Sequence, residues 1–252
     1  AGVWHLGETN LVDEEMYGTN RDSTANLNDG IQYRNSPTAG VIAGAQNFDG
    51  TNDYVDCGTQ PSLDIGQVRT VSSWIKPMAM VAYAGVVAKA TSGRRDPCTY
   101  KMCCHSDGTL YAGDMTAWRI STNRITTGTW YHVAYQTKGD GYINFYINGQ
   151  LANSGLSPAW TPPAEDPNHT VYIGSWGVGY DFNGLIDEAR IESVARSSNW
   201  LWACWLNQAS NAAFHTSGSA ESTMWSTMGV SNLTTTSAVA YAVHLRTNAN
   251  VY

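Results

Sequence analysis

A length of 252 residues and a 42 % share of hydrophobic side chains supply enough apolar material for one large domain, with two smaller ones the alternative. The formal charge of -7 and the lack of a dense Lys/Arg run exclude the clustered basic face of a nucleic-acid binder. No stretch has the roughly 20 consecutive apolar residues of a membrane-crossing helix, so no membrane insertion is expected.

Taken in chain order, the residues favour strands. Charged side chains make up only 14 %, while ten Trp and fourteen Tyr offer large apolar bodies with polar tips, suited to a sheet face or a sugar-binding surface. Residues 43–58, "AGAQNFDGTNDYVDCG", set an apolar rhythm around a polar turn, Asp49-Gly50-Thr51-Asn52-Asp53. Alternating runs follow at 69–77 ("RTVSSWIKP"), 85–90 ("GVVAKA"), 129–138 ("TWYHVAYQTK"), 142–149 ("YINFYING"), 170–176 ("TVYIGSW") and 184–192 ("GLIDEARIE"). "KGDG" at 138–141 predicts a tight hairpin, because Asp-Gly accepts the positive φ angles such a turn demands, and Asn148-Gly149 predicts a second. A helical period shows only at 194–210, where Trp200, Ala203, Cys204 and Asn207 share a face and Ser197 or Ser198 can cap the start. Its aromatics are expected to pack on the sheets. From about residue 212 the composition shifts to Ser, Thr and Ala with interspersed Val and Tyr, which predicts further strands. The expected architecture is all-β, a two-sheet antiparallel sandwich over 1–211 with one short helix, followed by a strand-like extension at 212–252.

Five cysteines, an odd number, allow at most two internal bridges, and Cys98, Cys103 and Cys104 are close enough in sequence for one local bridge. Bridges would place the chain in an oxidising compartment, and the low charge with much Asn, Thr, Ser and Gly leans the same way, so an extracellular or cell-surface location is expected. The start at "AGVWHLGE", with neither Met nor a signal-peptide pattern, reads as a mature or excised segment.

Eight segments in order, "VWHLGE" (3–8), "DSTANLNDG" (22–30), "AGAQNFDGTNDYVDCG", "TVSSWIKP", "GTWYHVAYQ" (128–136), "FYINGQ" (145–150), "VYIGSW" and "FNGLIDEARI" (182–191), resemble the LamG-like, or concanavalin A-like, jelly-roll domains of bacterial extracellular proteins. The resemblance spans roughly 3–210 and stops there. It implies a two-sheet sandwich, often appended to secreted enzymes or adhesins, whose relatives bind glycans or other proteins and in many cases hold calcium. Because one fold hosts many functions, the site has to name the ligand.

Calcium takes six to eight oxygens, and the turn carrying Asp49, Asn52 and Asp53 offers several within a few residues. The resemblance adds Asp187, in the "IDE" strand, as a distant ligand. The alternative is that Asp49 and Asn52 bond only to the turn backbone while Gly50 supplies a left-handed angle. A second oxygen-rich loop contains Asp22, Asn26, Asn28 and Asp29. For a sugar, whose apolar face stacks on aromatic rings and whose hydroxyls need polar partners, the candidates are Trp118 with Arg119, Trp160, and Trp176 with Tyr180 and Asp181. Trp74 and Trp130 lie within strand patterns and are expected in the core.

Glucan-cutting enzymes of this fold carry a Glu-x-Asp-x-Glu strand that aims three carboxylates into one cleft. Here "DEARIE" places Arg190 between Glu188 and Glu192, and a guanidinium there holds both glutamates ionised, against the need of a general acid. An ion-pair row along a strand face is the expected role. Cys98, Cys103, Cys104 and His105 lack a standard zinc spacing, and a strand would put Cys103 and His105 on one face with Cys104 on the other. No G-x-S-x-G elbow is present. The preferred function is therefore a non-catalytic carbohydrate-binding or adhesion module ordered by calcium, with a glycan or surface polysaccharide as partner. The alternatives are a self-assembling subunit of a surface layer, filament or virion that forms a homo-oligomer through 212–252, and a hydrolase with a non-standard site.

Overall fold

The computed structural model describes residues 2–8, 17–91, 95–113, 118–152 and 165–210. The described strands form two antiparallel sheets. In the first the order is β14 (Gln150–Leu151), β13 (Ile143–Ile147), β12 (Tyr131–Lys138), β7 (Val68–Pro77), β16 (Asn183–Glu192), β5 (Gly44–Asp49) and β4 (Ser36–Ala39). The short β1 (Gly2–Trp4) pairs with the far end of β16, opposite Ala189 to Ile191. In the second the order is β11 (Trp118–Arg124), β10 (Thr109–Gly113), β9 (Arg95–Cys104), β8 (Ala84–Thr91), β15 (His169–Ile173), β6 (Tyr54–Asp56), β3 (Gly30–Tyr33) and β2 (Tyr17–Asn20). Neighbours distant in sequence, such as β7 beside β16 and β8 beside β15, make this a jelly-roll-like sandwich and the expected all-β class.

Strand alternation builds the interior. Val71, Ile75, Val133, Phe145 and Ile186 of the first sheet meet Val87, Met102, Leu110, Val171 and Ile173 of the second, all buried. Each such side chain stabilises the fold by about 1.5–3 kcal/mol through the apolar area it removes from water. Both expected hairpins are present: β12 and β13 pair across residues 138–141, and β13 and β14 pair across Asn148 and Gly149, whose φ angles are 50 and 70°. Two positive φ values suit a two-residue turn that follows strand twist.

One charged group bridges the sheets. Arg69 of β7 donates to Gly66 O at 2.8 Å and pairs with Glu165 at 3.5 Å, and its guanidinium lies 5.0 Å from the centre of the Tyr100 ring. Lys89 of β8 pairs with Asp64 and, at 3.3 Å, with the same Glu165. Both cations are fully buried, so the carboxylates are what makes their desolvation tolerable.

The helix α1 (Ser198–Ala209) starts where the sequence places it, with Ser197 as N-cap accepting from Trp200 N. It forms a third layer, Leu201 packing with Ala134 and Tyr146. Trp74 is buried, as expected. It stands opposite Asp187 and His132, sets its ring edge to His132 at 5.5 Å, and donates Nε1 to Gln208 Oε1 at 2.7 Å. It is therefore buried on the outer face of its sheet by α1 rather than between the sheets. Trp130 is only half-buried, just ahead of β12.

Strand β16 bends at a bulge. Its register on β7 shifts between Asp187 and Arg190, and Glu188 takes φ 53°, a left-handed conformation costly for a side chain larger than glycine. Glu188 is buried, contacts His5, accepts from Arg190 Nη2 at 2.6 Å and from Gln208 at 3.3 Å. Glu192 pairs instead with Arg196, at 2.6 Å. The row read from "DEARIE" is thus two separate ion pairs, one of them beneath α1 and not on a solvated strand face.

None of the five cysteines forms a disulfide. Cys104 points into the inter-sheet core and Cys103 to the opposite face, as strand alternation requires. Burial pushes the Cys104 thiol up to about 12 and raises Cys103 further. The cysteine argument for an oxidising compartment therefore carries no weight. The described residues form one compact unit. The extension expected at 212–252 lies outside the described residues, as does the Trp160 loop.

Candidate functional site

The outward face of the second sheet carries aromatic side chains. Ala88, Ala90, Cys98, Cys103, Tyr172 and Trp176 form a buried cluster there, with half-buried Tyr54, Tyr83 and Tyr111 packed against it. Local sequence explains the placement: in "TLYAG" Leu110 and Ala112 face the core, so Tyr111 between them faces out. Tyr83 projects from the loop into β8 with φ 61°, and Trp176 and Tyr180 come from the loop after β15.

These rings touch in sequence around Tyr83. Tyr83 meets His105 at 4.8 Å, Tyr111 at 5.4 Å and Tyr180 at 6.4 Å between centroids, each edge to face. His105 stacks on Tyr111 at 5.0 Å, and Tyr180 stacks on Trp176 at 4.3 Å. Trp176 is itself fixed: Nε1 donates to Tyr83 O at 2.6 Å, and the Lys101 ammonium lies 3.5 Å from a ring centre. With 3 % exposure it supports the patch, whereas Tyr180, at 37 %, presents a ring to solvent. A ring face backed by another ring is a rigid platform for the apolar side of a sugar, because stacking there costs little side-chain entropy.

Of the sugar-contact residues read from sequence, Trp176 and Tyr180 meet in this patch. Arg119 does not: it stands opposite Ala112, on the face turned towards the core, while its neighbour Ile120 stands opposite Tyr111. Trp118 opens β11 opposite Gly113, and its side chain is outside the described residues. Asp181 is buried beside Asp53 and not on the rim. Tyr83, His105 and Tyr111 escaped sequence reading, although the in-out alternation of "TLYAG" marks Tyr111.

In the acidic turn both aspartates bond to turn backbone. Asp49 Oδ1 accepts from Thr51 N at 2.7 Å, Asp53 Oδ2 accepts from Asp49 N at 2.8 Å, and Gly50 has φ 82°, the left-handed angle that glycine supplies without strain. Asn52 is half-buried in the same turn. Asn183 Nδ2 closes it by donating to Asp49 O at 2.7 Å. Asp187 is elsewhere. It lies four residues farther along β16 than Asn183, and its Oδ2 accepts from Val41 N at 2.7 Å and Ile42 N at 2.9 Å. The set Asp49, Asn52, Asp53 and Asp187 is thus not brought together, and among the described residues no three His, Cys, Asp or Glu side chains are grouped to hold a metal ion. What does converge is charge: burial first, then the carboxylates of Asp49 and Asp181, push Asp53 up to about 6. The second oxygen-rich loop is self-satisfied, since Asp22 accepts from Val3 N, Thr24 N, Thr24 Oγ1, Asn28 N and Asn28 Nδ2. Despite the opposing effect of burial, these bonds lower its pKa.

The two antiparallel sheets define a concanavalin A-like β-sandwich. The chain belongs to the concanavalin A-like lectin/glucanases superfamily, whose model matches residues 49–202. No curated protein matches the sequence significantly. Among solved structures it is similar to domain 4 of an extracellular GH43 arabinanase from Geobacillus stearothermophilus in complex with arabinotriose. That match has 21 % identity and a TM-score of 0.59 over 80 % of this chain and 95 % of that domain. A Trypanosoma rangeli sialidase in complex with the inhibitor DANA is similar with 13 % identity and a TM-score of 0.60, over 82 % of this chain and 32 % of the sialidase. The binding domain of Paraclostridial mosquitocidal protein 1 aligns with 14 % identity and a TM-score of 0.59, over 81 % of this chain and 52 % of that one. This chain thus corresponds to about a third of the sialidase and half of the toxin structure. At these identities the likeness concerns the fold alone.

Proposed function

We propose that the chain is a non-catalytic glycan-binding module of an extracellular protein, and that its site is the patch of Tyr83, His105, Tyr111 and Tyr180 backed by Trp176. The observation that carries this reading is the solvent-facing Tyr180 ring held flat on Trp176 within a connected set of rings. The arabinotriose complex of the similar arabinanase domain supports a sugar as ligand. A non-catalytic role is supported by the buried carboxylates. Asp22, Asp53 and Asp187 accept backbone N–H groups, and Glu188 is tied to His5 and Arg190, so none of them forms a free acid and base across a cleft. Calcium, in this reading, would bind at the turn of Asp49, Asn52 and Asp53 and offset the charge that raises Asp53.

The test is an array of neutral and acidic oligosaccharides probed with the purified chain and with Tyr180→Ala. Loss of one stacking platform is expected to weaken retained glycans about tenfold, from about 1–1.5 kcal/mol of ring contact. Unchanged binding in Tyr180→Ala would place the site elsewhere, and release of reducing sugar from any bound glycan would overturn the non-catalytic reading.

A further inference from the structure

The tight turn at 105–109 gives the patch its imidazole. His105 N donates to Thr109 O and Gly108 N donates to His105 O, each at 2.9 Å, and Gly108 supplies φ 82°. Within this turn Asp107 is anchored, its Oδ1 accepting from Thr109 N at 3.0 Å and Thr109 Oγ1 at 2.6 Å. The same Oδ1 faces His105 Nδ1 at 3.2 Å. The two bonds from Thr109 hold the Asp107 carboxyl down at about 2, so it is an ionised acceptor. With Asp107 accepting at Nδ1, the neutral imidazole carries its proton there and its Nε2 keeps the lone pair. The imidazole is thereby a ring clamped against Tyr111 and Tyr83 that can accept one hydrogen bond at the edge of an aromatic surface.

The cations beside these rings already have partners. Arg124 Nη1 binds Asp107 twice, at 2.8 Å to its main-chain oxygen and 3.3 Å to Oδ2, and Lys101 is buried against Trp176. A carboxylated sugar would have to compete with Asp107 for Arg124, and the buried Lys101 cannot reach it.

We propose that His105 is the specificity-determining acceptor of the patch and Asp107 its positioning residue, so that the ligand is an uncharged sugar offering a hydroxyl donor beside an apolar ring face. This inference rests on the glycan-binding reading.

The experiment uses the full chain on an array of neutral arabino-, gluco-, galacto- and manno-oligosaccharides alongside sialylated and uronic-acid-containing ones, followed by titration of a retained glycan and its monodeoxy analogues. Neutral glycans are expected to be retained, and at least one monodeoxy analogue should bind roughly five- to tenfold more weakly, the loss of one hydrogen bond. His105→Phe keeps a ring but no acceptor, and should bind the parent and that analogue equally. His105→Gln and Asp107→Asn should restore part of the discrimination, and Asp107→Ala should not. A merely structural role would weaken both sugars by the same factor. Retention of acidic glycans only, or His105→Phe discriminating as the unaltered chain does, would overturn this inference while leaving the Tyr180 result to stand. Binding insensitive to Tyr180→Ala, or no retained glycan, would overturn both.

Discussion

Replacing Asp53 by Asn should make the protein more stable at neutral pH and remove part of its pH dependence. In the folded chain the Asp53 carboxyl is pushed from the ordinary 3.8 to about 6 by burial and by the charges of Asp49 and Asp181. A proton held more tightly in the folded state than in the unfolded one stabilises the fold below pH ~4, and this contribution is lost as the pH rises to about 6. A rise from 3.8 to about 6 corresponds to about 3 kcal/mol, and water at the turn reduces it to roughly half, about 1.5 kcal/mol. The amide introduced by Asp53→Asn has no charge to bury and can still accept from Asp49 N. Urea unfolding at pH 4.5, 5.5, 6.5 and 7.5 in chelator should therefore find the two chains alike at the acid end, with Asp53→Asn ahead by about 1.5 kcal/mol at pH 7.5. A remaining slope of the same sign is expected from Asp187, also raised to about 6 by burial first. Repeating the series in millimolar calcium tests the ion: stabilisation of the unaltered chain but not of Asp53→Asn would support calcium at this turn. A variant less stable at every pH, with an unchanged slope, would refute the reasoning.

Further outcomes concern the framework. Glu165→Ala leaves buried Arg69 and Lys89 short of a shared counter-charge and should cost about 3–5 kcal/mol, whereas a loss under 1 kcal/mol in urea titration would mean that solvent reaches both cations. Ser197→Ala should cost about 1 kcal/mol through the lost cap on Trp200 N. Leu201→Ala, which empties the seat between Ala134 and Tyr146, should cost about 2–4 kcal/mol, and equality of the two would mean that α1 does not bury that face. In the native state only Cys204, half-buried, should react with a thiol reagent while Cys57, Cys98, Cys103 and Cys104 stay protected. A melting temperature lowered by reductant would show instead that bridges form.

What the sequence determined by itself was whatever depends on neighbours along the chain. Alternation at 69–77, 129–138 and 184–192 gives β7, β12 and β16, the Asp-Gly and Asn-Gly turns give their hairpins, and Ser197 caps the helix, because backbone preference and strand period are local. Alternation likewise separates Cys103 from Cys104. Only the tertiary structure decided which side of a sheet is covered and which distant residues meet. Trp74 has the pattern of an interior residue, yet it is buried by a helix that arrives 134 residues later. Asp187 looks like a companion of the Asp49 turn, but antiparallel pairing brings Asn183 there and carries Asp187 four residues away to the amides of Val41 and Ile42. Tyr83, Tyr111, Tyr180 and Trp176 lie almost a hundred residues apart at the extremes, and one patch forms from them only because the strand order sets β8 beside β9 and β15 and carries β10 on the far side of β9. Strand period acts over two residues and is legible in a string; strand order is set by packing two sheets around one core, where contacts are made across the fold.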